Sequence, residues 1–462
     1  MEQITFPYTH CRFGAAVRDV TPPVGIYARS WGAAAHDAAE GIHRPCLATA
    51  ALFAPLRSDS PVLALVALDI GWFQNFQDAR DLCATVMRHT GLRPEHLLIN
   101  MSHTHSTANA NSALVDKPGV ELIKPYLAKV AEQVSAAIIA ARGSMTEAWM
   151  AHGQGRCSLA VNRDYWDAAA QQYACGFNPH QPADDTVMVA RVSDDQGRVL
   201  ATLVNYACHP TTLAWQNRLL SPDYIGGVRD ILEPAFSAPA LFLHGASGDL
   251  GPREGYVGDP AVADRNGRQL GHAAAAAIEA LPPPASKFVY EGVLRSGADL
   301  GIWSYSRCSG DELKGSGELC AEMSHVDLAL KELPLLAELE TLYAAETNRR
   351  EKEKILRRIY IRKMLGDEPF HHMPFWVWRL GDAALAAIPN EAFFRMQTAL
   401  RQQFAGLPLW VLSTTNGTTG YLPTRETYGK KTYQEQQTPY ASGCLETTTE
   451  AVGNKLAALV RA

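Results

Sequence analysis

The chain has 462 residues, of which 47% are apolar and 19% charged, and its formal net charge is −6. This composition is typical of a soluble globular protein that is long enough to bury a large core. The acidic balance excludes a nucleic-acid binder held by a broad basic face and a polybasic membrane patch. No apolar stretch reaches the ~18 residues of a membrane span, and the start, MEQITFPYTH, lacks the basic and apolar regions of a secretory signal.

Nine cysteines are scattered along the chain, and none belongs to a CxxC pair. The odd number and the wide spacing do not fit a disulfide framework or a cysteine-rich zinc site. We therefore expect free thiols in a reducing compartment and a cytoplasmic protein with no stable membrane anchor.

Strand and helix patterns alternate in the first third of the chain. A short apolar run at 61–70 predicts a buried strand, and helical spacing at 75–91 predicts a helix that ends at its final glycine. A second apolar run, 96–106, becomes polar at its end. An amphipathic helix is predicted at 124–143.

The alternation continues through the middle of the chain. Paired strands are predicted at 186–194 and 198–208, a buried strand at 238–245, and a helix closed by prolines at 266–284. Strands and a turn return at 377–393. These patterns predict an α/β fold: a layered domain with a mixed central β-sheet flanked by helices.

The segment from about 325 to 366 differs in composition, because it is rich in Leu, Glu, Lys and Arg. It predicts a helical hairpin or a long helix inserted into the α/β domain, with its charges on a solvated face and without a chemical role. No repeat and no Ser/Pro linker divides the chain. We therefore expect a single domain over residues 1–462 with this insertion.

Three histidines follow apolar strands at points where the sequence becomes polar. His103 and His105 stand in SHTHS, and His209 stands in VNYACHPTTL. On a strand, residues i and i+2 face the same side, so both imidazoles of the HxH pair are predicted to approach one point. Imidazole is a common zinc ligand. The pattern leaves two interpretations open: a metal site, or histidines hydrogen-bonded at loop starts.

Other polar residues follow strands or occupy glycine-rich turns. Glu391, in AAIPNEAFF, is either a further ligand or an acid in the first turn of a helix. Tyr421 lies in a Gly/Thr-rich loop, where packing is the simpler interpretation. The turn HGASGDLGPREG at 244–255 is neither a phosphate-binding loop nor a nucleophile elbow. Its Asp249 is a base, an orienting group or a turn former.

Taken together, these segments resemble the neutral/alkaline, non-lysosomal ceramidase family, in order and over most of the chain. The matching segments are FGAAVRDVTPPVG (13–25), GIHRPCLATAALF (41–53), VALDIG (66–71), NMSHTHS (100–106), NRDYW (162–166), VNYACHPTTL (204–213), LSPDYIGG (220–227), GASGDLGP (245–252), RLGDAALAAIPNEAF (379–393) and GYLPT (420–424).

The resemblance implies a zinc ion held by two histidines, a glutamate and a tyrosine. These correspond to His103, His209, Glu391 and Tyr421. It also implies that His105 assists catalysis beside the metal and that Asp249 and Tyr421 take part in catalysis. Arg163 is expected to have a catalytic role and to form the substrate site with Gly248 and Gly251.

The chain departs from the family pattern in two places. Gly251 stands where the family has a serine, so a serine acyl-enzyme is excluded there, and attack by a zinc-bound water remains. The family's C-terminal β-sandwich domain and signal sequence have no counterpart in the sequence. We therefore expect a ceramidase-like zinc hydrolase of an amide (N-acyl) bond in a small-molecule substrate other than membrane ceramide.

Two alternatives remain at this stage. One is a zinc hydrolase of an ester, lactone or sugar-derived substrate, and the other is a non-catalytic homologue that binds a ligand. Six tryptophans suit stacking on a sugar but are equally explained as core residues. They are Trp31, Trp166, Trp215, Trp303, Trp376 and Trp378. The oligomeric state is left open.

Overall fold

Two β-sheets, with eight and four strands, dominate the computed structural model, which describes residues 2–58 and 60–461. In chain order these strands are β1 (Tyr8–Asp19), β2 (Leu47–Ala54), β3 (Leu63–Leu68), β4 (Leu97–Met101), β5 (Thr146–Arg156), β6 (Thr186–Ser193), β7 (Val199–Tyr206), β8 (Ala240–His244), β9 (Leu319–Ala329), β10 (Phe370–Leu380), β11 (Ala383–Ala387) and β12 (Leu409–Leu412).

Helices lie on both outer faces of the two sheets. Those of the described residues are α1 (Phe76–Thr90), α2 (Ile123–Gly143), α3 (Ile225–Phe236), α4 (Pro260–Glu279), α5 (Leu336–Ala345), α6 (Arg349–Leu365), α7 (Arg395–Gln403), α8 (Tyr433–Gln437) and α9 (Cys444–Arg461). A peripheral hairpin and short two- to four-residue strands complete the fold. They are Gln3–Ile4, Gly41–Ile42, Ala160–Asn162, Asp164–Asp167, Gln172–Cys175, Leu219–Leu220, Leu250–Pro252, Ser286–Ser296, Ala298–Arg307, Glu391–Ala392 and Tyr421–Leu422.

The larger sheet has eight strands in the order β8-β7-β6-β5-β1-β2-β3-β4. Its outer pairs, β7–β8 and β3–β4, are parallel, and the inner pairs are antiparallel. Both faces of this sheet are covered, so the residues that point to either face are mostly apolar. The mixed central sheet predicted from the sequence is confirmed.

A second, four-stranded sheet packs on one face of the first, with strand order β9-β10-β11-β12. Trp376, Trp378 and Trp410 lie in the core between the two sheets. The indoles of Trp376 and Trp378 are buried and donate hydrogen bonds to backbone carbonyls. Core packing, rather than sugar stacking, is therefore correct for these two tryptophans.

Helices α1 to α4 cover the other face of the large sheet, and α7 and α9 cover the small sheet. The layers are thus helix, sheet, sheet and helix, which is the layered α/β arrangement expected, with a second sheet added. All nine cysteines are free. No helix in the described part of the chain has both the length and the apolar character of a membrane span.

The predicted helical insertion is confirmed, but its start is wrong. Residues 319–329 form β9, and the helical hairpin α5–α6 begins only at Leu336. The alternation of Val326 and Leu328, both buried, with exposed neighbours is the signature of a strand with one covered face. The helix expected at 266–284 also starts earlier, at Pro260, where the Asp259 side chain caps it.

The two edge strands of the large sheet meet each other. The backbone N–H of His244, in β8, donates to the side chain of Asn100, in β4 (2.7 Å). Asn100 also donates to the carbonyl of Ser413 beyond β12 (2.7 Å). The right-handed twist of a sheet, accumulated over eight strands, brings such edges together. As a result, the residues that follow β4, β7, β11 and β12 converge.

Candidate metal centre

Three of the four residues predicted to bind metal lie just beyond the carboxyl end of a sheet strand, and the fourth, Tyr421, lies in a short strand further along the chain. His103 follows β4 and His209 follows β7. Glu391 follows β11, and Tyr421 follows β12. The last two are register neighbours in a two-stranded parallel ladder, so their side chains lie side by side. The structure brings all four residues together, and their role as metal ligands stays a prediction.

The donor atoms of three of these residues surround one point. His103 Nε2 and His209 Nε2 are 3.1 Å apart, and each lies 3.4 Å from Glu391 Oε2. A tetrahedral zinc ion with ligands at 2.0–2.2 Å places its donor atoms about 3.3–3.6 Å from one another. The triangle is therefore of the size that a zinc ion needs. The residues fit the metal.

The backbone at His103 differs from the expected strand. Strand β4 ends at Met101, and His103 has a left-handed φ of +64°. The argument that His103 and His105 share a face because they are i and i+2 on a strand is therefore wrong. The two rings still lie close together, with centroids 5.2 Å apart, because the chain turns at His103.

His209 is held in the orientation that metal binding requires, whereas His103 Nδ1 has no hydrogen-bond partner among the described residues. The Nδ1–H of His209 donates to the carbonyl of Ser247 (3.0 Å), which leaves Nε2 with its lone pair towards the centre. His244 stacks on His103 at 5.5 Å and is bonded to the Ser247 hydroxyl through Nε2 (2.7 Å). The sequence analysis missed His244, although it too ends an apolar strand.

The protonation states also suit a cation. Burial lowers the pKa of His209 to about 3, so this imidazole is neutral. Burial opposes ionisation of Glu391, but His103 and His209 outweigh it and hold the pKa of this carboxyl well below its usual range. A neutral imidazole at His209 and a carboxylate at Glu391 are the deprotonated forms that ligate metal. Glu391 Oε2 has no hydrogen-bond donor among the described residues, as expected of an atom reserved for a ligand.

Arg163 lies behind Tyr421, outside the wall of the cavity that leads to the histidines. Its Nη2 donates to the carbonyl of Gly248 (2.6 Å) and to the Tyr421 hydroxyl (3.3 Å). Burial and the Glu391 carboxylate raise the pKa of Tyr421 well above its usual value, so the phenol keeps its proton. Arg163 therefore orients Tyr421. Its direct contact with substrate stays a prediction.

His105 completes a group of three histidines whose nitrogens lie within 4.8 Å of one another. Both nitrogens of His105 are shielded from solvent and have no hydrogen-bond partner among the described residues. Burial lowers the pKa of this ring well below its usual value. Two tryptophan rings, Trp72 at 4.5 Å and Trp31 at 5.2 Å, flank it. An unpartnered neutral imidazole at this position is available to a substrate.

Asp249 does not face the histidines. It lies with Asp164 on the wall of a different cavity of about 450 Å³. Its Oδ1 accepts a hydrogen bond from the backbone N–H of Phe394 (2.9 Å). Because neither nitrogen of His105 has a hydrogen-bond partner among the described residues, Asp249 is not an orienting group for His105, and its part in catalysis stays a prediction. Burial, with a smaller contribution from Asp164, raises the pKa of Asp249 to about 7.

Replacing Asp249 by Asn should raise stability at alkaline pH. The folded protein holds the Asp249 proton up to a pH of about 7, whereas the ordinary pKa is 3.8. This contribution to stability is complete below pH ~4 and is lost as the pH rises through ~7. We expect Asp249→Asn to melt with the wild type at pH 4 and to be more stable at pH 8, by up to about 4 kcal/mol. A variant less stable than the wild type at pH 8 would show that the ionised form is the native one.

The glycines of the 244–255 turn have different tasks. The Gly248 N–H donates to the carbonyl of Ala392 (2.8 Å), and its carbonyl accepts from Arg163 and Gln434. Both backbone groups are thus engaged within the protein, and its contact with substrate stays a prediction. Gly251 pairs with Val161 in a short ladder, and the atoms nearest to an added Cβ are 3.8 Å away.

Alanine should destabilise the protein at Gly248 and be tolerated at Gly251. A Cβ at Gly248 would lie 2.5 Å from the carbonyl oxygen of Glu391, so Gly248→Ala must displace the strand that carries this carboxylate. We expect a loss of about 1–3 kcal/mol in the free energy of unfolding and weaker metal binding. Gly251→Ala has room and should stay within about 0.5 kcal/mol of the wild type. Chemical denaturation with metal titration measures both, and equal behaviour of the two variants would contradict the packing argument.

The cavity that reaches the metal centre has walls from two distant parts of the chain. Trp72, Phe73 and Phe76 form one side, and helix α6 forms the other. The charged 325–366 segment was expected to have no chemical role, but Arg357 of this segment lines the cavity. No sequence signal separates Arg357 from the neighbouring solvated charges, because its orientation depends on how the hairpin docks.

Comparison with known proteins identifies the fold. No protein-family model and no curated protein sequence matches the chain. Among solved structures, neutral ceramidase from Pseudomonas aeruginosa superposes with a TM-score of 0.68 at 17% identity, over 98% of this chain and 75% of that one. A ceramidase complexed with C2 gives 0.68 at 16% identity, over 99% and 76%. The chain therefore has the fold of the neutral ceramidases, as its resemblance to that family implied.

Proposed function

We propose that this protein is a zinc-dependent hydrolase that cleaves an amide (N-acyl) bond in a small-molecule substrate. The observation that carries the proposal is the triangle of His103 Nε2, His209 Nε2 and Glu391 Oε2, with sides of 3.1–3.4 Å. Two neutral imidazoles and one carboxylate are the donor set of several catalytic zinc sites. The fold of the neutral ceramidases supports the choice of an amide over other acyl bonds.

Zinc bound there would polarise the carbonyl of the scissile bond and lower the pKa of a water molecule towards about 7. The protein's own groups supply the rest. The Tyr421 hydroxyl, held by Arg163, is placed to donate a hydrogen bond to the oxygen on which negative charge develops. His105, neutral and unpartnered, is placed to accept a proton from the attacking water and to pass that proton to the leaving amine. Trp72 and Trp31 pack around His105 and exclude bulk water.

An ester or lactone hydrolase is the second candidate, because the same centre attacks either carbonyl. The residues of the centre do not distinguish the two bonds. A non-catalytic role is disfavoured by the conjunction of a complete donor triangle and an unpartnered His105.

A panel of matched chromogenic amides and esters tests the proposal. We expect zinc-loaded protein to release amine from short N-acyl compounds, and we expect 1,10-phenanthroline to abolish the rate and added zinc to restore it. A rate that survives complete removal of metal would contradict the proposal. Turnover of esters only would favour the second candidate.

A further inference from the structure

The cavity beside the metal centre is small and largely aromatic. Its volume is about 110 Å³, below the ~300–1,000 Å³ of pockets that enclose drug-sized ligands. Its walls include the rings of Trp72, Phe76 and Tyr433. A compact group fits this space.

One face of helix α6 closes the cavity. Arg357, Tyr360, Ile361 and Met364 all line it. Their spacing, i, i+3, i+4 and i+7, places them on a single stripe of the helix. The inserted hairpin is therefore a wall of the site, and its side chains take part in selecting what enters.

Ion pairs fix this helix one turn before Arg357. Glu353 lies 3.1 Å from both Arg29 and Arg349, and Arg349 also pairs with Asp37. Arg29 is buried in the loop that carries Trp31. Because Glu353 is four residues before Arg357, this network anchors the turn that precedes Arg357, which lines both this cavity and the neighbouring one of about 350 Å³.

Arg357 itself is without a partner. It is half-buried, and its guanidinium has no hydrogen bond or ion pair with any residue that the structure describes. Glu391 is the acidic residue on the cavity wall, and its Oε2 lies 3.4 Å from the Nε2 atoms of both His103 and His209. A half-buried guanidinium beside aromatic rings loses hydration without gaining a counter-charge, and a carboxylate matches its planar fork.

We propose that Arg357 binds a carboxylate of the substrate, so that the substrates are small N-acyl amino acids. This inference rests on the proposed amide hydrolysis. The scissile amide would lie at the histidines, and the carboxylate would lie against α6. A neutral amino alcohol, the head group of a ceramide, offers Arg357 no counter-charge.

A pair of substrates that differ only at this group tests the inference. N-acetyl-alanine and N-acetyl-alaninol carry the same amide, with a carboxylate or a hydroxymethyl group beside it. We expect zinc-loaded protein to have at least tenfold higher kcat/KM for the acid. In Arg357→Gln this preference should fall below about threefold through a higher KM for the acid, and Arg357→Lys should be intermediate. Arg358→Gln, an exposed neighbour on the same helix, should retain the preference.

Binding of N-methylsulfonyl-alanine, which cannot be hydrolysed as an amide, decides the outcome independently of turnover. Calorimetry should show at least tenfold weaker binding to Arg357→Gln than to the wild type and to Arg358→Gln, with melting curves confirming that each is folded. If this difference in binding is found but neither acetyl compound is hydrolysed, the carboxylate site is supported and the amidase activity is contradicted. Equal binding by the wild type and Arg357→Gln, or no binding by the wild type, would overturn the inference.

Discussion

We expect the His209→Ala protein to fold, to lose its zinc and to have no hydrolase activity. His209 is fully buried, its Nδ1 is bonded to the carbonyl of Ser247, and its Nε2 faces His103 and Glu391. Removing the imidazole leaves two of the three donor atoms, and a site with two protein ligands binds zinc weakly. Elemental analysis should fall from about one zinc per chain to below about 0.1.

A second buried histidine provides the control for this variant. His152 is also buried, but its Nε2 is bonded to the Thr9 hydroxyl (2.9 Å), on a strand away from the centre. His152→Ala should lose stability, by about 1–3 kcal/mol, and keep its zinc. Full zinc occupancy in folded His209→Ala would remove His209 from the ligand set.

Tyr421→Phe should keep its metal and lose rate. The Tyr421 hydroxyl accepts a hydrogen bond from Arg163 and stays protonated beside Glu391. If its task is to donate to the developing oxyanion, its loss should cost about 10²–10³ in kcat, with KM changed less than about threefold. Initial-rate assays on a short N-acyl compound give kcat and KM, and the zinc content is measured on the same samples.

Tyr433→Phe is the matched control, because its ring lies 5.9 Å from that of Tyr421 and lines the same cavity. It should retain most of the rate. Loss of zinc in Tyr421→Phe would instead show that the tyrosine is a ligand, as the family resemblance implied. Unchanged kcat would remove the hydroxyl from catalysis altogether.

The site residues that can be predicted from the sequence are those that directly follow apolar strands. His103, His209 and Glu391 each follow an apolar run that turns polar, and each lies in the centre. The same rule applies to His244, which ends the predicted strand at 238–245 and stacks on His103. It was missed because a histidine at the last position of a buried strand has the same pattern as a core residue.

Local geometry and docking are the parts that the sequence does not reveal. The left-handed turn at His103 has no marker such as glycine or asparagine, so the extended backbone expected there was wrong. Asp249 lies in the predicted turn, but its side chain faces the cavity on the side away from the histidines. Which way a turn residue points depends on packing between distant segments, here the contact with Phe394.

The second, four-stranded sheet could not be predicted from the sequence for a similar reason. The exposed face of strand β9 carries charged residues, so the composition of this strand resembles that of the helical hairpin that follows it. Its pairing with β10 joins residues about 50 positions apart, a distance at which periodicity gives no information. The position of Arg357 depends on the docking of this same segment.

A crystal of zinc-loaded protein, with data collected on both sides of the zinc absorption edge, tests the metal centre most directly. Our account predicts a single strong anomalous peak within bonding distance of His103 Nε2, His209 Nε2 and Glu391 Oε2. A peak elsewhere, or none at this triangle in protein that retains zinc in solution, would contradict it.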